Sequence, residues 1–178
     1  MEVVEIDESA AEEKFDPKLC QMRILSHGNC EKDTLVFHIH GGGYVLMSTF
    51  IHQNVTRMLA IEIERAVIVC PEYRKAPHNS FPDAFEDVWQ AYFWMVVHCK
   101  SFLGFEPRRI ILTGDSAGGK FAITIPTMAI QRGFRVPDGT VPFYCPSSLT
   151  VAEFHPSLLF SLDDVALRQG LVIAIGPA

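Results

Sequence analysis

The chain has no apolar run able to cross a bilayer: its longest, Ala91 to Val97, falls far short of the roughly 18 residues a span requires. Nor does it open on a secretory signal, because Met1-Glu2-Val3-Val4-Glu5 is acidic where a basic segment and an apolar stretch would stand. A soluble, cytoplasmic protein is the expectation. No Lys/Arg stripe is present and the formal net charge is -6, which argues against nucleic acid as a partner. There is no C-x-x-C pair. Cys20, Cys30, Cys70, Cys99 and Cys145 form an odd set of five, best accounted for as reduced thiols, with Cys70 and Cys145 as small apolar strand residues. Repeats and low-complexity tracts are also missing.

What is present suits one packed core. The 178 residues are enough for a single domain or part of one, and 48% of them are hydrophobic. Most of the negative charge lies in residues 1–33, which read as a polar, acidic arm with some helical potential and no core stripe. From Thr34 the pattern changes. Thr34 to His40, Ala66 to Cys70, Ile110 to Thr113 and Val141 to Cys145 are short runs rich in β-branched residues, separated by helix-length segments. Nearly continuous apolar strands alternating with helices predict an α/β fold, a mostly parallel sheet with helices on both faces.

Punctuation places two of the helices. Ser80-Phe81-Pro82-Asp83 predicts a capping-box start, after which Ala84, Val88, Ala91 and Met95 recur at helical spacing until Gly104. A second helix follows Ser116, with Phe121, Ile125 and Met128 on one side and an end near Gly133. Pro126 lies inside it and predicts a bend, since it removes a backbone donor.

Chemistry is concentrated in two glycine-rich segments. Gly114-Asp115-Ser116-Ala117-Gly118 follows the strand at Ile110 and opens a helix, the context of a G-x-S-x-G elbow that raises a serine hydroxyl clear of a sheet. Upstream, His40-Gly41-Gly42-Gly43-Tyr44 lies just after a strand, where three glycines let successive N–H groups face one oxygen. A nucleophilic serine needs such donors for the oxyanion that its attack creates.

Together these motifs resemble the hormone-sensitive lipase family of α/β-hydrolases, its eukaryotic members in particular. Pro71-Glu72-Tyr73-Arg74-Lys75-Ala76-Pro77 with Phe81-Pro82-Asp83-Ala84, then Arg135-Val136-Pro137-Asp138-Gly139 and Pro156-Ser157-Leu158-Leu159, extend the similarity over roughly residues 34–178. The resemblance implies a serine carboxylester hydrolase of lipid catabolism working through an acyl-serine. Its nucleophile would be Ser116, its oxyanion hole Gly42, Gly43 and Ala117, with His40, Gly41, Tyr44, Gly114, Asp115 and Gly118 as supporting motif residues. It also implies acylglycerols, cholesteryl esters or short-chain esters as substrates, no metal and no cofactor, and peripheral contact with a lipid surface such as a droplet.

Two features depart from the family. Lys120 stands where Asn is usual after the double glycine. The triad acid and histidine follow the serine late in this fold, and the segment after Ser116 resembles what precedes them, so residues 34–178 are expected to be the N-terminal part of a catalytic domain. By itself such a part is expected to show little or no turnover; the alternative is a non-catalytic truncated hydrolase fragment that acts, if at all, by binding lipid or a partner. Asp138 and His155 stand in triad order, but Pro137-Asp138-Gly139 is a turn signal and Phe154-His155-Pro156 reads as a loop.

Competing readings are weaker. Gly114 to Lys120 spells the start of a phosphate loop, but Phe121 stands where a Mg²⁺-holding hydroxyl is needed. His27, Cys30, His38 and His40 can be written as a zinc set, although the glycine loop already accounts for His40. His52, His78 and His98 are expected at solvated or half-buried helix and turn positions. Phe85, Trp89, Tyr92, Phe93 and Trp94 read as core, Tyr44 as a candidate for an acyl pocket, and Asp115 as structural.

Overall fold

The computed structural model describes residues 21–145. Five strands, β1 (Met22–Ser26), β2 (Thr34–Ile39), β3 (Ala66–Pro71), β4 (Arg109–Asp115) and β5 (Gly139–Phe143), form one sheet in the order β1-β3-β2-β4-β5. The β3-β2, β2-β4 and β4-β5 pairs are parallel, whereas β1 runs antiparallel to β3. Three helices connect them: α1 (Gln53–Glu62), α2 (Asp83–Leu103) and α3 (Ala117–Gln131).

The sheet is covered on both faces, and the period of two along each strand divides its side chains between two cores. Leu35, Phe37 and Ile39 of β2, with Val67 and Val69 of β3, pack with Val88, Tyr92 and Met95 of α2 and Phe121 and Ile125 of α3. Val36, Ile68 and Cys70 face the other way, onto Ala60 of α1. All six residues of β2 and of β3 are buried, which is why both read as nearly continuous apolar runs. The expected stripe on α2 is buried at Ala84, Val88, Ala91 and Met95, and Gly104 ends the helix at φ 81°. The helix after Ser116, α3, remains one element across Pro126. Among the described residues no helix is long and apolar enough to cross a membrane.

Three expectations are corrected. Met22–Ser26 is not part of a helical arm. It pairs with β3 from Met22↔Pro71 to Ser26↔Val67, and the Glu72 N–H donates to the Gln21 carbonyl just beyond. The Ser80 side chain makes no capping bond; Pro82 is the N-cap of α2, whose first turn is acidic through Asp83 and Glu86. Finally, β5 begins at Gly139 rather than Val141, because the Asp138 carboxylate accepts the Ile110 N–H at 2.7 Å and brings the chain alongside β4 earlier. Residues 1–20 and 146–178, including His155, lie outside the described residues.

Candidate active site

The two glycine-rich segments meet at the C-terminal ends of adjacent strands. The β2-β4 ladder sets Ile39 opposite Gly114, so the chain leaves β2 into the glycine loop beside the point where it leaves β4 into the elbow. At the elbow Ser116 has φ 52° and ψ -119°, a conformation strained for any residue with a side chain and held by its surroundings. Its N–H donates to the Phe143 carbonyl at 2.9 Å. The residue itself is partly exposed, as is Asp115 before it, while Ala117 after it is buried.

Close backbone approach explains the glycines here. A Cβ on Gly114 would meet the Gly118 carbonyl oxygen at 2.4 Å, and one on Gly118 would meet the Ile39 oxygen at 2.0 Å. In the loop, Gly42 (φ 108°) and Gly43 (φ 62°) take left-handed conformations, and Tyr44 follows at φ 63°. The Gly42 carbonyl accepts the N–H groups of Val45 and Leu46, closing a tight turn.

The amides in this region fall into two groups. Gly41 N–H donates to Asp115 Oδ1 at 3.2 Å, which ties the loop to the elbow. The N–H groups of Gly42, Gly43 and Ala117 form no hydrogen bond among the described residues. Among the described residues they are donors without an acceptor, two on the glycine loop and one opening α3, which the strand register sets side by side. No hydrogen bond to the Ser116 hydroxyl is formed among the described residues either.

A buried polar cluster fixes the loop from below. His40 is 1% exposed; its Nδ1 faces the Gly41 carbonyl at 2.7 Å, its Nε2 faces Glu72 Oε1 at 3.3 Å, and its ring stacks on Tyr73. The Tyr73 hydroxyl donates to the His40 carbonyl at 2.9 Å. Glu72 also accepts from Thr49 N–H, Thr49 Oγ1 and Lys75 Nζ. Burial raises the Glu72 pKa, but the bonds from His40, Lys75 and Thr49 outweigh it and leave the carboxyl at about 2. His38 faces Asp115 and His52, and burial holds its pKa down to about 4 against the opposing pull of Asp115.

Of the residues singled out in the sequence, His40, Gly41, Gly42, Gly43, Gly114, Asp115, Ser116, Ala117 and Gly118 come together at the C-terminal ends of β2 and β4. Tyr44 is 9% exposed within the main core, against Phe85 and Phe121, and so is packed rather than lining an open pocket. Asp138 is engaged at the opposite end of β4, with Ile110 N–H and Arg135, which excludes it as a partner of Ser116. The written zinc set does not assemble: Cys30 Sγ donates to the Glu64 carbonyl, while His38 groups instead with His52 and Asp115. Sequence reasoning missed His52, which no local motif marks, and the bracing role of Glu72 and Tyr73.

Comparison with known proteins agrees with this fold. Residues 36–168 match a family model described as alpha/beta hydrolase fold. The hormone-sensitive lipase of Bos taurus is 38% identical over 148 residues, covering 83% of this chain and 19% of the lipase. The Esterase LipI of Mycobacterium tuberculosis is 36% identical over 99 residues, covering 56% of this chain and 30% of its own. A solved hyperthermophilic esterase from the archaeon Pyrobaculum calidifontis has a TM-score of 0.79 at 33% identity, covering 88% of this chain and 51% of the esterase. The chain thus spans about a fifth of the lipase and about half of the solved esterase.

Proposed function

Because the chain belongs to the alpha/beta hydrolase fold family, matched over residues 36–168, we propose that it carries the nucleophile and oxyanion half of a serine carboxylester hydrolase. The observation that carries this reading is the set of three amides without acceptors among the described residues, on Gly42, Gly43 and Ala117, beside a serine held at φ 52°. An ester carbonyl seated there would be attacked by Ser116 Oγ. Its oxygen, becoming an anion, would collect the three N–H groups, a stabilisation of which each donor typically supplies ~10²- to 10³-fold in rate. Collapse of the tetrahedral intermediate would expel the alcohol and leave an acyl-serine for water to cleave.

The base and its orienting acid belong, in this fold, to loops after later strands, and we place them outside residues 21–145. Substrates are assigned by likeness to the lipases and esterases above: acyl esters, with acylglycerols and cholesteryl esters in view of the hormone-sensitive lipase match. Action in the cytosol, at or near a lipid surface, follows from the same likeness. The non-catalytic alternative differs in one respect, the reactivity of Ser116.

A fluorophosphonate probe separates the two. The expected result is label confined to Ser116 by peptide mapping and abolished in Ser116→Ala, with p-nitrophenyl butyrate hydrolysis much slower than that of a complete esterase. Label distributed over other serines, or equal in Ser116→Ala, overturns the assignment.

A further inference from the structure

On the face of the sheet that α1 covers, we propose that His38, His52 and Asp115 form a binding site for one divalent transition-metal ion, Zn²⁺ being the best fit. Two imidazoles and a carboxylate are a nitrogen-and-oxygen donor set suited to that ion. One donor atom from each residue lies within 4.8 Å of the other two.

The spacing favours a shared ion over direct hydrogen bonds. His38 Nε2 is 3.4 Å from His52 Nδ1 and 3.9 Å from Asp115 Oδ1, and the other His52 nitrogen, Nε2, is 3.5 Å from Asp115 Oδ2, all longer than the usual hydrogen bond of about 2.9 Å. Two ligands each about 2.0–2.1 Å from a tetrahedral ion stand about 3.4 Å apart. The His38–His52 pair already has that separation, and the distances to the Asp115 carboxylate lie within a few tenths of an ångström of it.

The framework is rigid and accessible. His38 is on β2, Asp115 ends β4, and the β2-β4 register fixes one against the other; His52 is the N-cap of α1. Gly41 N–H holds Asp115 Oδ1, the kind of outer bond that orients a ligating carboxylate. The His38 side chain is 2% exposed, but those of His52 and Asp115 are 12% and 14%, which gives an ion a way in and leaves room for water in the fourth position. His38 Nδ1 has no partner among the described residues. Ligation through Nε2 leaves the proton on that nitrogen without an acceptor, which sets the expected affinity in the micromolar range rather than tighter.

The site is independent of the esterase reading, and its test does not use activity. Untagged full chain, stripped with a chelator, is titrated with Zn²⁺ alone against a chromophoric competitor and, separately, with Co²⁺ followed by visible absorption. The expected result is one equivalent bound, visible bands without a near-ultraviolet thiolate band, affinity at least about tenfold weaker in His52→Ala, and no change in Cys30→Ser. Should His52→Ala fail to fold by circular dichroism, His52→Gln and Asp115→Asn carry the same expectation. No saturable binding, a thiolate band, or wild-type affinity in these folded variants overturns the proposal.

Discussion

Gly118→Ala tests the fold where two physical rules disagree in sign. Gly118 lies in the first turn of α3, and replacing a helical glycine by alanine normally stabilises by about 1 kcal/mol. Here the added Cβ would stand 2.0 Å from the Ile39 oxygen, 2.7 Å from the Ile39 carbonyl carbon and 2.8 Å from that of His40. All three atoms are backbone, so no side chain can rotate away. Restoring an ordinary contact requires the helix start and the end of β2 to separate by about 1.4 Å, and overpacking of this kind costs about 1–3 kcal/mol, here at the upper end. The net expectation is a loss of about 2 kcal/mol, which lowers Tm by about 4–8 °C in a chain of this size. Urea unfolding followed by tryptophan fluorescence and by circular dichroism measures it. Gly104→Ala is the control: nothing stands within 4 Å of its Cβ, and it loses only the roughly 1 kcal/mol of its left-handed φ of 81°. The same displacement would move the glycine loop against Ser116, and a shift near 1 Å is expected to slow probe labelling by about 10²-fold. A Gly118→Ala variant as stable as wild type, or more so, would refute the close approach of helix and strand.

Two further outcomes follow from buried charge. Arg74 donates from Nε and Nη2 to both oxygens of Asp87, which is 1% exposed, so Arg74→Met leaves a lone carboxylate inside and should cost about 3 kcal/mol by urea titration; Arg74→Met with Asp87→Leu should recover most of that loss. Glu72 titrates in the folded chain at about 2 against an ordinary 4.5. Its contribution is therefore complete above pH 4.5 and lost as pH falls toward 2. Its half-buried position reduces the ideal figure of about 3 kcal/mol to about 1–2. Glu72→Gln should flatten the stability profile of wild type across that interval.

The sequence displays the centre of the sheet better than its margins. β2, β3 and β4 are covered on both faces, so burial is written into each as a local apolar run, and the elbow needs glycines at fixed offsets that are visible without a structure. β1 carries no such mark. Its residues are half-buried and include Arg23, and it becomes a strand only by pairing with β3, more than forty residues away. The same holds for Ser80 and Pro82, where tertiary placement rather than the local capping pattern decides how α2 begins. Contacts that join distant segments were the least legible. His38 and Asp115 lie on one face because β2 and β4 are in a particular register, and His52 reaches them from a different element.

That register also explains why an acid stands beside the serine. The elbow turns successive side chains to opposite sides, and Asp115 points to the α1 face, where it meets His38, His52 and the Gly41 N–H. A Cβ on Gly41 would fall 2.5 Å from Asp115 Oδ2, so a side chain there would force apart the bond that fastens loop to elbow. The three glycines thus divide the work. The first gives its amide to Asp115 and sets the position of the loop; in the proposed reaction the second and third keep theirs for the substrate oxygen. Asp115 acts on the chemistry only through that placement: a residue adjacent to the nucleophile and turned to the far face has no route to a base standing over Ser116.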